Sequence, residues 1–250
     1  MCNRYVSPAA ADIERLWNVG ARNAPNPGKP ANSSPAWRRS EVYPRAPGAF
    51  IRGAPSPSEE VAPEGGGNGR ELVIGQWGLV PFFAKSPKLT YSTNNARSEE
   101  LAAKATFKYP WARGQRCIIP AETFDEPNWE AGKNVWWRFR RADGHPWGLA
   151  GLWNRWVDKE TGEVFETYTM LTINADAHPL MSRMHKPDPK LAPAEQDKRS
   201  VIPVELEDVD GWLSGTVDEA RALLKVAPVG VFDAGPVSDE RRSERRSERQ

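Results

Sequence analysis

The sequence predicts an α+β fold in which many antiparallel strands carry short helices at their edges. Two observations lead there. Short apolar runs rich in Val, Ile, Trp and Tyr recur from residue 41 to residue 232, divided by turns bearing Gly and Pro. Segments with helical start signals are few and brief, and no repeat unit recurs along the chain. At 250 residues the chain can bury a sizeable core, and a single domain is expected over residues 1–234.

In order, a strand-like Asn3-Arg4-Tyr5-Val6 is followed by Ser7 as a helix N-cap and Pro8 at the first helical position. That helix is expected to reach about Val19, burying Ile13, Leu16 and Trp17, with Gly20 as its stop. Residues 21–40, dense in Pro, Asn and Ser, read as loop. Residues 41–52 are strand-like but interrupted by Pro, which predicts an edge or irregular segment. Residues 53–69 lack periodicity and form a surface excursion within a hairpin, after which 70–81 resume as a strand. A loop leads to a helix from about Ser98, capped by Ser98 and with Glu99 and Glu100 suited to its N-terminal dipole.

Residues 115–126 read as a buried strand running into a turn. Strands are expected over 134–141, 146–158 and 164–174, with turns near 142–144 and 159–163. A short helix over 178–185, a strand over 200–206, helices around 207–214 and 216–225 and a last strand near 229–232 complete the domain. The tail, residues 235–250, alternates charge sign and reads as a disordered terminus.

The 34 basic and 33 acidic side chains nearly cancel, so bulk charge signals neither nucleic acid nor membrane. Two cysteines build no disulfide framework, and there is no secretory leader or bilayer-length apolar run. A reduced, cytoplasmic protein without membrane association is expected. His145, His178, His185 and the two cysteines lack metal-ligand spacing, so neither a metal nor another cofactor is expected.

The chemistry is sought first at Met1-Cys2. A small second residue favours removal of Met1, which leaves Cys2 with an α-amine and a thiol on neighbouring carbons. The amine, with a pKa near ~7.8 against ~10.4 for Lys, is far more nucleophilic at neutral pH. With a reference pKa of about 8.5, the thiol is expected to be partly ionised. A 1,2-aminothiol captures an aldehyde through the amine and closes a thiazolidine through the thiol.

Four further stretches could contribute. Asn94 or Asn95 could bond a substrate oxygen or the terminal amine, and Arg97 could fork onto a phosphate. One of Glu122, Asp125 and Glu126 could have a raised pKa and pass protons. His185, or His178 seven residues earlier, could act as acid, base or donor. Trp77 suits a core, whereas Phe82 and Phe83 in a loop are open to bases.

Taken in order, Met1-Cys2, Trp77-Gly78-Leu79-Val80-Pro81, Asn95-Ala96-Arg97-Ser98-Glu99 and Cys117-Ile118-Ile119-Pro120-Ala121 resemble the SOS-response-associated peptidase (SRAP) family. The resemblance covers residues 1 to about 232. It implies a mixed, largely antiparallel β-barrel-like sheet with short surrounding helices. It also implies an abasic-site sensor in which Cys2 joins the ring-opened sugar as a thiazolidine, preferentially in single-stranded DNA. Motif position carries the family's Asn to Asn95, its Glu to Glu126 and its His to His185. Arg4 and Arg97 match its phosphate contacts, and Phe83 its aromatic wedge.

The sequence departs from the family pattern at Asn3, Glu41 and Pro127. In place of His-x-Arg-Met-Pro stands His185-Lys186-Pro187, followed after a loop by Lys198-Arg199, so a phosphate contact is expected at Arg199 or Lys186. A monomer acting on abasic single-stranded DNA, with lyase activity through the same imine, is the leading expectation. A thiol peptidase of N-terminal-nucleophile type, acting at least on Met1, is the second reading. A non-covalent single-strand-binding module is the third.

Overall fold

The computed structural model describes residues 2–19, 36–54 and 69–237. The expected stop at Gly20, most of the 21–40 loop, most of the 53–69 excursion and most of the charged tail lie outside them. The chain begins with β1 (Tyr5–Ser7), α1 (Ala10–Trp17), β2 (Ser40–Val42), β3 (Pro47–Gly53) and β4 (Arg70–Trp77). Next come β5 (Asn95–Arg97), α2 (Ala105–Ala112), β6 (Arg116–Ala121), β7 (Thr123–Asn128) and β8 (Val135–Arg141). The last elements are β9 (Trp147–Val157), β10 (Val164–Asn174), β11 (Arg199–Val201), α3 (Val209–Ser214), α4 (Val217–Ala222) and β12 (Phe232–Pro236).

The fold is α+β, built on a closed barrel. Strands β10, β4, β3, β6 and β9 pair in that order, and β9 pairs back onto β10. Within this ring only the β10–β4 contact is parallel. Closure leaves β6 covered on both sides, which is why its six residues are buried without alternation. A second, open sheet has the order β12-β8-β7-β1-β2. One apolar cluster gathers Ile13, Trp17, Ile51, Ile118 and Trp212, and a second gathers Cys2, Tyr5, Phe50, Trp77, Phe124 and Tyr168.

Several elements differ from expectation. Ser7 ends β1 and does not cap a helix: its hydroxyl accepts from Trp37 Nε1 at 3.0 Å. The helix α1 starts later, at Ala10, and ends on Asn18 in the left-handed region at φ 50°. Residues 41–52 split into two strands, and β3 lies inside the barrel between β4 and β6. Its Pro47 is the first residue of the strand, where a missing N–H is least costly. Ser98 opens only a three-residue 3-10 turn without a side-chain cap, and the full helix, α2, follows at Ala105.

The stretch expected as a turn after residue 121 is the strand β7, buried along most of its length. Between residues 178 and 185 only Met181–Arg183 is helical, as a 3-10 turn, and the last strand falls at 232–236. The turn at 142–144 joins strands of different sheets. The turn at 159–163 closes the true β9–β10 hairpin, where Asp158 accepts from the Glu160 and Thr161 N–H groups. Gly53 faces Arg70 across an antiparallel β3–β4 pair.

Candidate active site

Strand β1 runs between β2 and β7, with Tyr5 opposite both Val42 and Phe124. This seats Cys2, which is 0% exposed, inside the second apolar cluster. Its Sγ donates to the Arg4 carbonyl at 3.4 Å. Its own carbonyl accepts from Asn95 Nδ2 at 2.7 Å and more weakly from Asn94 Nδ2 at 3.4 Å. Asn94 also donates to Asn3 Oδ1 at 3.1 Å. Both asparagines are set by the parallel pairing of β5 with β10. There the Met170 N–H and Trp77 Nε1 both donate to the Asn94 carbonyl.

Glu126 lies on β7 opposite Trp137, 1% exposed, and its Oε2 accepts from His185 Nε2 at 2.8 Å. Burial alone would raise this carboxyl. The positive chain terminus and His185 outweigh it, and Glu126 is held below the usual carboxylate range. The expectation of a raised carboxyl is therefore corrected: Glu126 is an ion at neutral pH. Burial first, and the Glu126 charge second, push the Cys2 thiol well above its ordinary value. The thiol is protonated, not partly ionised.

His185 takes a left-handed backbone at φ 63°. Its N–H donates to the Pro127 carbonyl at 2.7 Å, and Met184 bridges Asn128 of β7. Two buried polar atoms of this group have no hydrogen-bond partner among the described residues, Asn95 Oδ1 and His185 Nδ1. Buried polar atoms are rarely left so. Beside Asn94 opens a shallow cleft lined by Arg45, Trp77, Gly78 and Tyr91 among others. Among the described residues no cluster of His, Cys, Asp and Glu could hold a metal ion.

The family model for SOS response associated peptidase (SRAP) matches residues 1–242. The chain belongs to the SRAP family. This SRAP chain is 28% identical over 162 residues to Abasic site processing protein YoaM of Bacillus subtilis, across 62% of this chain and 70% of that protein. It is 27% identical over 192 residues to Abasic site processing protein HMCES of Xenopus tropicalis, across 68% of this chain but only 53% of that longer protein. A crystal structure of a Bordetella bronchiseptica protein superposes with a TM-score of 0.73 at 33% identity, covering 95% of the SRAP chain and 100% of the other.

The remaining candidates separate clearly within the SRAP fold. Glu122 pairs with Arg39 away from Cys2. His178 is structural: its Nδ1 accepts from the Leu180 and Met181 N–H groups, and its Nε2 meets the Ala227 carbonyl at 2.9 Å. Arg4 is held by Glu41 at 2.7 Å and Asp125 at 3.2 Å. Arg97 is exposed and paired with Asp197 and Glu100. Arg199 is only 4% exposed and bonded to Glu99, Asp197 and the Thr172 carbonyl, so a phosphate would have to displace those partners.

Lys186 lies over the Trp129 ring at 5.4 Å. Phe83 is exposed and meets Phe82 edge-on at 5.4 Å, and Tyr109 also meets Phe82 edge-on, at 4.8 Å. Motif position favoured Asn95 over Asn94, yet both reach the Cys2 carbonyl, and sequence reasoning missed Arg138, which grips Asp125 through two bonds. Arg138 and Arg140 stand two apart on β8 and so share a face by strand alternation, which left nothing in the pattern to mark Arg138 as the buried one.

Proposed function

We propose that this SRAP chain, once Met1 is removed, captures the ring-opened aldehyde of an abasic site in single-stranded DNA and holds it as a thiazolidine on Cys2. The observation that carries the reading is the convergence of Cys2, Asn95, Glu126 and His185 with two buried acceptor valences unfilled. The names of the curated relatives, abasic site processing proteins, supply the substrate class.

In this mechanism the Cys2 α-amine adds to the sugar C1′ carbonyl, and the adduct loses water to give an imine. Sulfur then adds to the imine carbon while the thiol proton passes to nitrogen. The net reaction joins aldehyde and aminothiol with loss of one water. Glu126 accepts the proton released at the amine and returns one to the departing hydroxyl. Asn95 Nδ2 fixes the Cys2 carbonyl, leaving Oδ1 to accept from a sugar hydroxyl or the amine. His185 Nδ1 bonds a second sugar hydroxyl and favours the open-chain form. β-Elimination from the same imine would give strand cleavage.

Arg97 and Phe83 are the exposed contacts for backbone and base, and Arg4 joins them if phosphate replaces Glu41. The test mixes Met-processed protein with uracil-glycosylase-treated single-stranded DNA on a denaturing gel. A shifted band with wild type and none with Cys2→Ala is expected. A band that persists in Cys2→Ala, or none with wild type, contradicts the reading. Turnover of a peptide panel blocked by thiol alkylation would favour the peptidase, and DNA binding unchanged in Cys2→Ala without adduct would favour the simple binding module.

A further inference from the structure

The loop between His185 and β11 returns a lysine to the site. Lys198 is 7% exposed, and its Nζ donates to the Met184 carbonyl at 2.7 Å and to the His185 carbonyl at 2.7 Å. Neither bond is to a carboxylate. A buried ammonium held only by carbonyls has lost its hydration for a small electrostatic return, so its retention calls for an explanation. The geometry around His185 provides one.

His185 has a left-handed backbone, a conformation unfavourable for a non-glycine residue that persists only when its surroundings over-determine it. The surroundings do so on two sides. From β7, the Pro127 carbonyl takes the His185 N–H, and Asn128 bridges Met184. From the start of β11, Lys198 takes the carbonyls on either side of the His185 Cα, those of Met184 and His185. The Lys198 N–H is itself anchored on Asp176 Oδ1 at 2.8 Å, so the clamp is tied to the end of β10. With the backbone pinned on both sides, the ring is fixed with Nε2 on Glu126 and Nδ1 buried and open.

We infer that Lys198 is a positioning residue for the reaction proposed above, holding the Met184–His185 peptide so that the imidazole stays between Glu126 and the sugar. It acts through His185 and touches neither Cys2 nor substrate. The inference rests on the abasic-site reading for its catalytic consequence, though not for the clamp itself.

Two measurements test it. The first is a cycle of Lys198→Met, His185→Ala and the double variant, read as crosslinking rate at saturating abasic single-stranded DNA. Lys198→Met is expected to slow the reaction about 10- to 100-fold with little change in half-saturation. In the His185→Ala background it is expected to have no further effect. Equal slowing in both backgrounds would overturn the inference, because a merely structural lysine acts whether or not His185 is present.

The second measurement needs no activity: the imidazole ¹⁵N resonances of His185 in the free protein. Wild type should show one tautomer with the hydrogen on Nε2, and Lys198→Met an averaged pattern. An unchanged pattern would overturn the inference. If Lys198→Met does not fold, Lys198→Gln, whose shorter amide does not reach both carbonyls, takes its place in both tests. A wild type that forms no adduct defeats the proposed function, while the resonances still decide the clamp.

Discussion

Glu126 shows how one residue can be both buried and charged. Its carboxylate is shielded from water by the core but faces His185, and together with the positive chain terminus this holds its pKa below the usual range. The sign of the pH dependence follows. The folded pKa lies below the ordinary value of about 4.3, so the interaction stabilises the fold above that value and is lost as pH falls through the folded pKa. The difference in denaturant midpoint between wild type and Glu126→Gln is therefore expected to shrink on acidification below about pH 4. A gap that widens there would contradict the assignment. At neutral pH the same variant should slow crosslinking by about 10²-fold or more, the usual size of a lost proton-transfer group.

At the scale of elements, the β7–β8 pair supports the site from beneath. Asp125, 1% exposed, receives two bonds from Arg138 at 2.8 and 2.9 Å, and its N–H donates to the same Arg4 carbonyl that receives the Cys2 thiol. Arg138→Ala takes the two-bond partner from a buried carboxylate and leaves it only Arg4, so it is expected to cost about 3 kcal/mol by urea titration, the lower end for a broken buried pair. Arg15→Ala, which breaks only an exposed pair with Asp12, should cost about 0.5 kcal/mol or less. Equal losses would contradict this. The comparison also explains why β7 was read as a turn. Its carboxylates look solvated in the sequence, and the groups that neutralise them, Arg4, Arg138 and His185, come from the N-terminus, from β8 and from the connection between β10 and β11.

A tight approach elsewhere in the barrel gives a second element-scale prediction. Gly48 of β3 faces Gly75 of β4, and a Cβ on Gly48 would come within 2.6 Å of the Tyr5 hydroxyl and closer still to that of Tyr168. These hydroxyls bond each other inside the core. Gly48→Ala is expected to cost about 1–3 kcal/mol through overpacking, read from the denaturant midpoint. A neutral effect would mean that the tyrosine pair has room to move.

For the molecule as a whole, closure of the barrel and the docking of β1 bring four distant stretches together at Cys2. Most strands were legible because their apolar runs reflect burial, and Cys2, Asn95, Glu126 and His185 were legible through the order of the motifs. Three features were not. Asn94 gave way to Asn95 on motif position, Lys198 entered only as the neighbour of Arg199, and β3 looked like an edge because of its prolines. Each depends on what the chain meets far along its length. Arg199 was the converse case, a charge expected at the surface that the fold buries among carboxylates.

The central claim is that a processed Cys2 amine and its thiol both end on one sugar carbon. The intact mass of the adduct with an abasic oligonucleotide tests it most directly, comparing the processed chain with one that keeps Met1. The account predicts a mass equal to the processed protein plus the strand less one water, unchanged by borohydride because a closed thiazolidine has no imine bond to reduce, and no adduct when Met1 remains. Uptake of two hydrogens would mean an open imine with the thiol unbound. An adduct that retains that water, or one formed with Met1 in place, would contradict it.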